Sequence, residues 1–198
     1  HLDETHTEGD WGDAPDTLQL PIYPTLAANN GAVHWNADPL LFLGQTVDIE
    51  PDGQPDPPAL GDDADILYAS GGDDEDGVTL HGLLVPGGTT PMTVVASKPG
   101  MLDAWFDFNA DGDWQDAGEQ VVVSKGLAAG PNILSVPVPP AAVVGRTYAR
   151  FRFSTAGGLP PGGPAADGEV EDYAVWIEEV EVPHKMHYPQ YPDPHGWD

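Results

Sequence analysis

Glycine and proline interrupt this chain too often for a long helix to survive. They account for 24 and 22 of its 198 residues, and an interior proline costs a helix about 3 kcal/mol and an interior glycine about 1 kcal/mol. Between the breaks lie short runs rich in β-branched and aromatic residues, at 31–35, 46–50, 66–70, 77–85, 91–97, 101–108, 119–124, 132–138, 147–154 and 171–182. Several alternate with period two. Within 101–108, Leu102, Ala104, Phe106 and Phe108 can share a core face, with Asp103 and Asp107 opposite. Within 147–154, Ala149, Phe151 and Phe153 share one side, and Arg150 and Arg152 the other. About ten short strands separated by turns predict an all-β fold, a sandwich of two antiparallel sheets.

Charge narrows the function. Asp and Glu number 33 against six Lys and Arg, for a net charge of -27. A nucleic-acid surface needs clustered positive charge to release counterions, and an anionic membrane repels a chain of this kind. Hydrophobic residues still make up 40 %, with six Trp, six Tyr and five Phe, so the chain reads as an acidic globular protein. It has no cysteine, which excludes disulfides and thiolate metal sites. No apolar run reaches the length of a membrane helix, about 20 residues. His1-Leu2-Asp3-Glu4 lacks the features of a secretory signal, and the expectation is a secreted or cell-surface protein whose signal is already removed.

The sharpest chemical signal is the run Asp107-Phe108-Asn109-Ala110-Asp111-Gly112-Asp113-Trp114-Gln115-Asp116, ending in Gly118-Glu119. Oxygen-bearing side chains recur at every second position around a glycine, as in the first half of an EF-hand calcium loop, with Asp113 placed to offer its carbonyl. The acid that would close the loop stands one residue late, at Glu119, and Val121-Val122-Val123 reads as strand. The expectation is a calcium loop between two strands, with Asp107, Asn109, Asp111, Asp113, Asp116 and Glu119 as its oxygen donors. A metal-free hairpin held by Asx turns is the alternative.

Two further acidic groups are candidates. Asp62, Asp63, Asp74 and Asp76 belong to paired clusters at 61–65 and 73–77, which call for a cation or full solvation, and Asp10, Asp13 and Asp16 could join them. Asp167, Glu169, Glu171 and Asp172 run into a strand in which Glu169, Glu171 and Tyr173 share one side and Asp172 points to the other. A carboxylate buried there needs either calcium or an arginine such as Arg150 or Arg152. Two stretches, 10–30 and 48–65, look irregular and long enough to need pinning, which a metal can supply.

The string Gly168-Glu169-Val170-Glu171-Asp172-Tyr173 resembles the signature of the GEVED domain. Asp10-Trp11-Gly12-Asp13-Ala14-Pro15-Asp16, Gly61-Asp62-Asp63, Asp74-Glu75-Asp76-Gly77-Val78 and Tyr148-Ala149-Arg150-Phe151-Arg152 extend the resemblance in order. It implies an immunoglobulin-like sandwich with calcium dependence, in large secreted or surface-attached bacterial proteins, and it implies no activity. On this reading residues 1–9 are an N-terminal extension, 10–182 the domain, and 183–198 a Pro- and His-rich tail or linker suited to docking on a neighbour.

The expected function is a calcium-binding structural or adhesive module of an extracellular surface protein or fibre, its partners being other copies or domains. A calcium-dependent carbohydrate-binding module is the alternative, with Trp11, Trp35 or Trp114 stacking on polysaccharide, while Trp105 and Trp176 read as packing residues. His184, His187 and His195 could capture copper or zinc, but a solvated tail is the simpler reading. No Ser elbow, His-Glu-x-x-His, phosphate loop or Cys nucleophile is present, so no enzyme is expected and a hydrolase ranks last.

Overall fold

The computed structural model describes residues 9–17, 23–35, 40–47, 49–61 and 75–179. Within them lie ten strands: β1 (Gly9–Trp11), β2 (Val33–Trp35), β3 (Val78–Leu80), β4 (Thr89–Ala96), β5 (Gly100–Phe106), β6 (Gln120–Leu127), β7 (Gly130–Pro137), β8 (Gly145–Ser154), β9 (Pro164–Ala165) and β10 (Glu169–Ile177). The one helical element among these residues is a 3-10 turn, Ala27–Asn29.

Two antiparallel sheets form the sandwich, one in the order β10-β8-β5-β6 and the other β3-β4-β7. Period two decides what lies between them. Leu102, Ala104 and Phe106 of β5 meet Phe151 and Phe153 of β8, and Met92, Val94 and Val136 close the core from the other sheet. Phe106 stacks on Phe108 and meets Phe151 edge-on, both at 5.7 Å, so the apolar alternation expected for 101–108 is realised. Each buried ring contributes roughly 1.5–3 kcal/mol by leaving water.

The opposite face of the four-stranded sheet is also buried, beyond what a two-layer sandwich needs. A small sheet, β1-β2-β9, in which β2 and β9 run parallel, lies against it, with β1 and β2 next to β10. Segments 12–17, 23–30 and 49–61 continue the cover, so the stretches that look irregular in sequence form a third layer. Ala14, Tyr23 and Ala59 from this layer pack on Trp105, Trp114 and Tyr148. The layer exists because β8 sends Arg150 and Arg152 to this face, where both are fully buried. Charges held there require partners from above.

Several expected strands change. The described residues of 46–50 show no strand, and Glu50 pairs in an isolated bridge with Gly9. The run 77–85 shortens to three residues, because Gly82 and the turn at Pro86–Gly88 break the ladder and leave Leu84 bridging Ile177. Strands β1 and β9 are additions, too short for periodicity to announce. The expected strand at 66–70 and the tail 183–198 lie outside the described residues.

Tryptophan placement also differs. Trp11 and Trp114 are buried, which removes them as open stacking platforms, whereas Trp176 is 60 % exposed on the outer side of β10. No helix among the described residues is long and apolar enough to cross a membrane.

Candidate metal centre

The segment joining β5 to β6 is a folded-back hairpin loop anchored at both ends by buried carboxylates. At the entry, Asp107 is fully buried. Its Oδ1 accepts the Ala110 N–H at 2.6 Å, and its Oδ2 accepts the Gly112 N–H at 3.0 Å and the Tyr23 hydroxyl at 2.7 Å. Ala110 and Gly112 both take positive φ, 57° and 98°, and the Asp107 carboxylate stabilises that sharp turn by collecting their N–H groups. Burial, reinforced by Asp107, pushes the Tyr23 hydroxyl well above its usual range, so it stays a donor. At the exit, Glu119 accepts the N–H groups of Phe108 at 3.2 Å and Asp116 at 3.1 Å. Burial raises its carboxyl to about 7, with the charges of Asp107 and Asp116 adding to the rise and the two N–H groups opposing it.

Between the anchors, side chains turn back on the backbone two residues ahead. Asn109 Oδ1 accepts from Asp111 N at 3.0 Å, Asp111 Oδ1 from Asp113 N at 3.3 Å, and Asp113 Oδ1 from Gln115 N at 2.7 Å. These are the Asx turns that the alternating pattern allows. They leave carboxylate oxygens of Asp111, Asp113 and Asp116 converging, all within 4.8 Å of one another. The Asn109 amide donates to Asp111 at 3.0 Å and to Asp116 at 2.7 Å. Trp114 points inward, donates to the Tyr148 carbonyl at 3.2 Å, and lies under the Arg150 guanidinium at 4.5 Å. That side chain fixes the loop to the third layer.

A hard divalent cation suits this donor set. Calcium–oxygen distances of about 2.3–2.6 Å place two ligands of one ion up to about 5 Å apart, which matches the spread of the three carboxylates. Among the described residues none of the three has an ion-pair partner, and their mutual repulsion is opposed only by neutral N–H donors, of Asn109 and of the backbone, and by solvent. Of the six donors expected from sequence, Asp111, Asp113 and Asp116 are brought together and Asn109 bridges two of them. Asp107 and Glu119 hold the base of the loop.

The other sequence candidates are dispersed. Asp62, Asp63 and Asp74 lie outside the described residues. Asp76 accepts from the backbone and side-chain nitrogens of Gln45 at 2.8 and 3.0 Å. Asp167 holds the Thr155 N–H at 2.9 Å and its hydroxyl at 2.5 Å. Glu169 accepts the Leu43 N–H. Glu171 accepts the Gly77 N–H at 2.8 Å and the Tyr173 hydroxyl at 3.1 Å, and that hydroxyl in turn accepts the Val78 N–H at 3.1 Å. The alternation is as expected but its sense is not. Glu169, Glu171 and Tyr173 take the core side with Val175 and Ile177, while Asp172, expected on the apolar side with Ala174 and Trp176, faces the third layer. Here the inward acids tie strand β10 to the segments at Leu43 and Gly77.

Of the two partners open to Asp172, it holds the arginine. Arg150 Nε and Nη2 donate to its two oxygens at 2.7 and 2.6 Å, and the N–H groups of Asp13 and Ala14 add contacts at 2.9 and 2.8 Å. This forked, fully buried pair leaves no ligand position facing solvent. Gly12 is required beside it, since a Cβ there would stand 2.4 Å from Asp172 Oδ2. Arg152 is satisfied differently. It donates to His34 Nε2 at 3.1 Å and to carbonyls of Val33, Pro160, Gly162 and Gly163. Burial first, then Arg150, lowers its guanidinium to about 9, with Asp10, Asp172 and Asp103 opposing, so it keeps its charge at neutral pH.

Sequence reading misses the structural acids of this region. Asp16 caps the N–H groups of Thr25 and Leu26, Asp10 accepts from Val170, and Asp13 from Gly61. Asp103 accepts the N–H of Ser124, which sits at φ 42° beside a register shift in the β5–β6 ladder, and that of Leu159. For Asp10, Asp13 and Asp16, recurrence beside glycine and proline is the signal that could have found them, because such turns expose N–H groups that need acceptors.

Comparison with known proteins locates this architecture. The GEVED domain family model matches residues 101–176, which run from β5 to β10 and include the hairpin loop, the buried arginines and the acidic signature. No curated protein and no solved structure matches the chain. Residues 101–176 therefore match the GEVED domain, which is found in extracellular proteins, and they span the four-stranded sheet and its β5–β6 loop.

Proposed function

We propose that this chain is a calcium-stabilised structural module of an extracellular bacterial assembly, without catalytic activity of its own. The observation that carries the reading is the convergence of Asp111, Asp113 and Asp116 at the tip of a loop whose base is already fixed. A cation seated there neutralises carboxylates that otherwise repel, and it stabilises the folded state by linkage once free calcium exceeds Kd. Extracellular calcium modules bind at about 10⁻⁴–10⁻³ M, a range that suits a protein working outside the cell. Native mass spectrometry in millimolar calcium tests the site. One ion bound to the parent chain at this loop, and lost in both Asp113→Asn and Asp111→Asn, is the expected result. Equal calcium counts in parent and variants would refute the assignment.

A second reading has its own observation. Beside the loop lies a cleft of about 420 Å³ lined by Tyr23, Tyr148, Pro15, Pro57, Asp111 and Arg146. Asp111 and Arg146 at this cleft suit the hydroxyls of a polysaccharide, while Tyr23 and Tyr148, as buried as Trp11 and Trp114, form its wall rather than an open stacking face. Retention on insoluble polysaccharide, lost in Arg146→Ala with folding intact, would favour this module over a purely structural one.

A further inference from the structure

Two stretches of this acidic sequence, 77–97 and 126–145, contain no Asp, Glu, Lys or Arg. All 33 acids and all six bases lie elsewhere. The fold gathers both stretches into one sheet, because they supply β3, β4 and β7 in full. The inner side of that sheet packs Met92, Val94 and Val136 into the core. Alternation sends the uncharged remainder outward, in rows set by the strand register. Thr79, Thr93 and Ile133 form one row, and Pro91 and Ser135 lie in the next. Thr79, Pro91 and Ser135 are exposed, and Ile133 is 72 % exposed.

We propose that this charge-free outer face is where a second copy of the chain docks, sheet against sheet. The inference rests on the assembly reading above and adds the surface to it. Charge selects the occupant. A neutral partner is indifferent to scattered carboxylates, but another chain of net charge -27 is repelled by them wherever they line the contact. This sheet lets two copies approach without opposing carboxylates in the contact. Its β-branched and proline side chains also suit the roughly 10 Å face-to-face spacing of stacked sheets.

Size sets the strength. The two eight-residue strands and the three-residue β3, about 4.8 Å apart, cover about 300 Å² on each copy, so a pair buries well under the roughly 1,200 Å² at which stable interfaces begin. A single pair therefore associates weakly, and many copies along one fibre or surface make the contact effective.

Sedimentation equilibrium on the full chain, from micromolar to millimolar protein at low and high salt, with calcium and with EGTA, tests the surface. The expected result is an average mass that climbs with concentration, more steeply at high salt, where the charge elsewhere is screened. Ile133→Glu and Thr79→Glu should each abolish the climb. Val123→Glu, at an exposed position of β6 in the other sheet, should leave it intact. A chain that stays monomeric throughout overturns the proposal, as does an equal effect of Ile133→Glu and Val123→Glu. So does a monomer whose binding to neutral polysaccharide is lost in Ile133→Glu, since the face would then belong to glycan. Melting curves on the same samples keep the two readings apart, because a calcium shift without association leaves the calcium module standing, and the converse leaves the interface.

Discussion

Arg150 and Asp172 meet in full burial, two hydrogen bonds deep and capped by the N–H groups of Asp13 and Ala14. Removing one partner strands the other charge, and such losses run about 3–5 kcal/mol. Arg150→Met should therefore lower the urea midpoint severely, and Arg150→Met with Asp172→Leu should cost less than the two single changes added together. Additive losses would show that the two side chains act independently. His34 makes a second residue-scale prediction. Its Nε2 accepts from Arg152, which leaves Nδ1 to donate to the Asp167 carbonyl at 2.7 Å. Burial, and then Arg152, hold its pKa well below the ordinary 6.5. The unfolded chain therefore takes up a proton that the folded chain refuses. The stabilisation is complete above pH 6.5 and declines as pH falls below it toward the folded-state value. Glu119, raised to about 7, acts in the opposite sense over the same range. The decline is therefore read as the difference between parent and His34→Gln in unfolding titrations from pH 7.5 to 5, the variant's amide oxygen still accepting from Arg152. An unchanged slope in the variant would assign the proton uptake to another group.

Strand β10 shows what sequence makes legible at the scale of an element and what it does not. Alternation is a local property, so it places Glu169, Glu171 and Tyr173 on one side and Asp172 on the other. The partners are not local: Glu171 takes the N–H of Gly77 and Asp172 those of Asp13 and Ala14, 94 and about 159 positions away. No spacing rule reports them, and a clustered set of acids reads equally as a metal site. The β5–β6 loop is more legible because most of its hydrogen bonds close over two to five residues. Even there, the inward turn of Asp107 toward Tyr23 depends on a segment from the third layer. In sequence that layer looks like irregular loops, since its order comes from the arginines beneath it rather than from its own pattern. Two measurements follow. Glu171→Ala should speed amide exchange at Gly77 and Val78 while leaving β8 protected, and unchanged exchange at Gly77 would remove the tie. Gly118 sits at φ 99° with open space around it, so Gly118→Ala should cost about 1 kcal/mol through backbone conformation alone.

Across the whole molecule, negative charge outweighs every other surface property. Among the described residues Arg150 and Arg152 are fully buried, but so are acids from Asp10 to Asp172, so burial leaves the excess of acid over base in place. Self-repulsion of that size loosens a compact state unless ions offset it. The acids of the third layer and of β10 are offset within the protein by N–H groups and arginines. Those at the tip of the β5–β6 loop have N–H donors but no arginine, and they form the cluster that could hold a cation. The most direct measurement is thermal unfolding in millimolar calcium and in EGTA at matched ionic strength, with Asp113→Asn alongside. The account predicts a melting temperature several degrees higher in calcium for the parent chain, with little or no shift in the variant. Identical melting curves for the parent in calcium and EGTA would contradict it, and the loop would then be a hairpin held by its Asx turns alone.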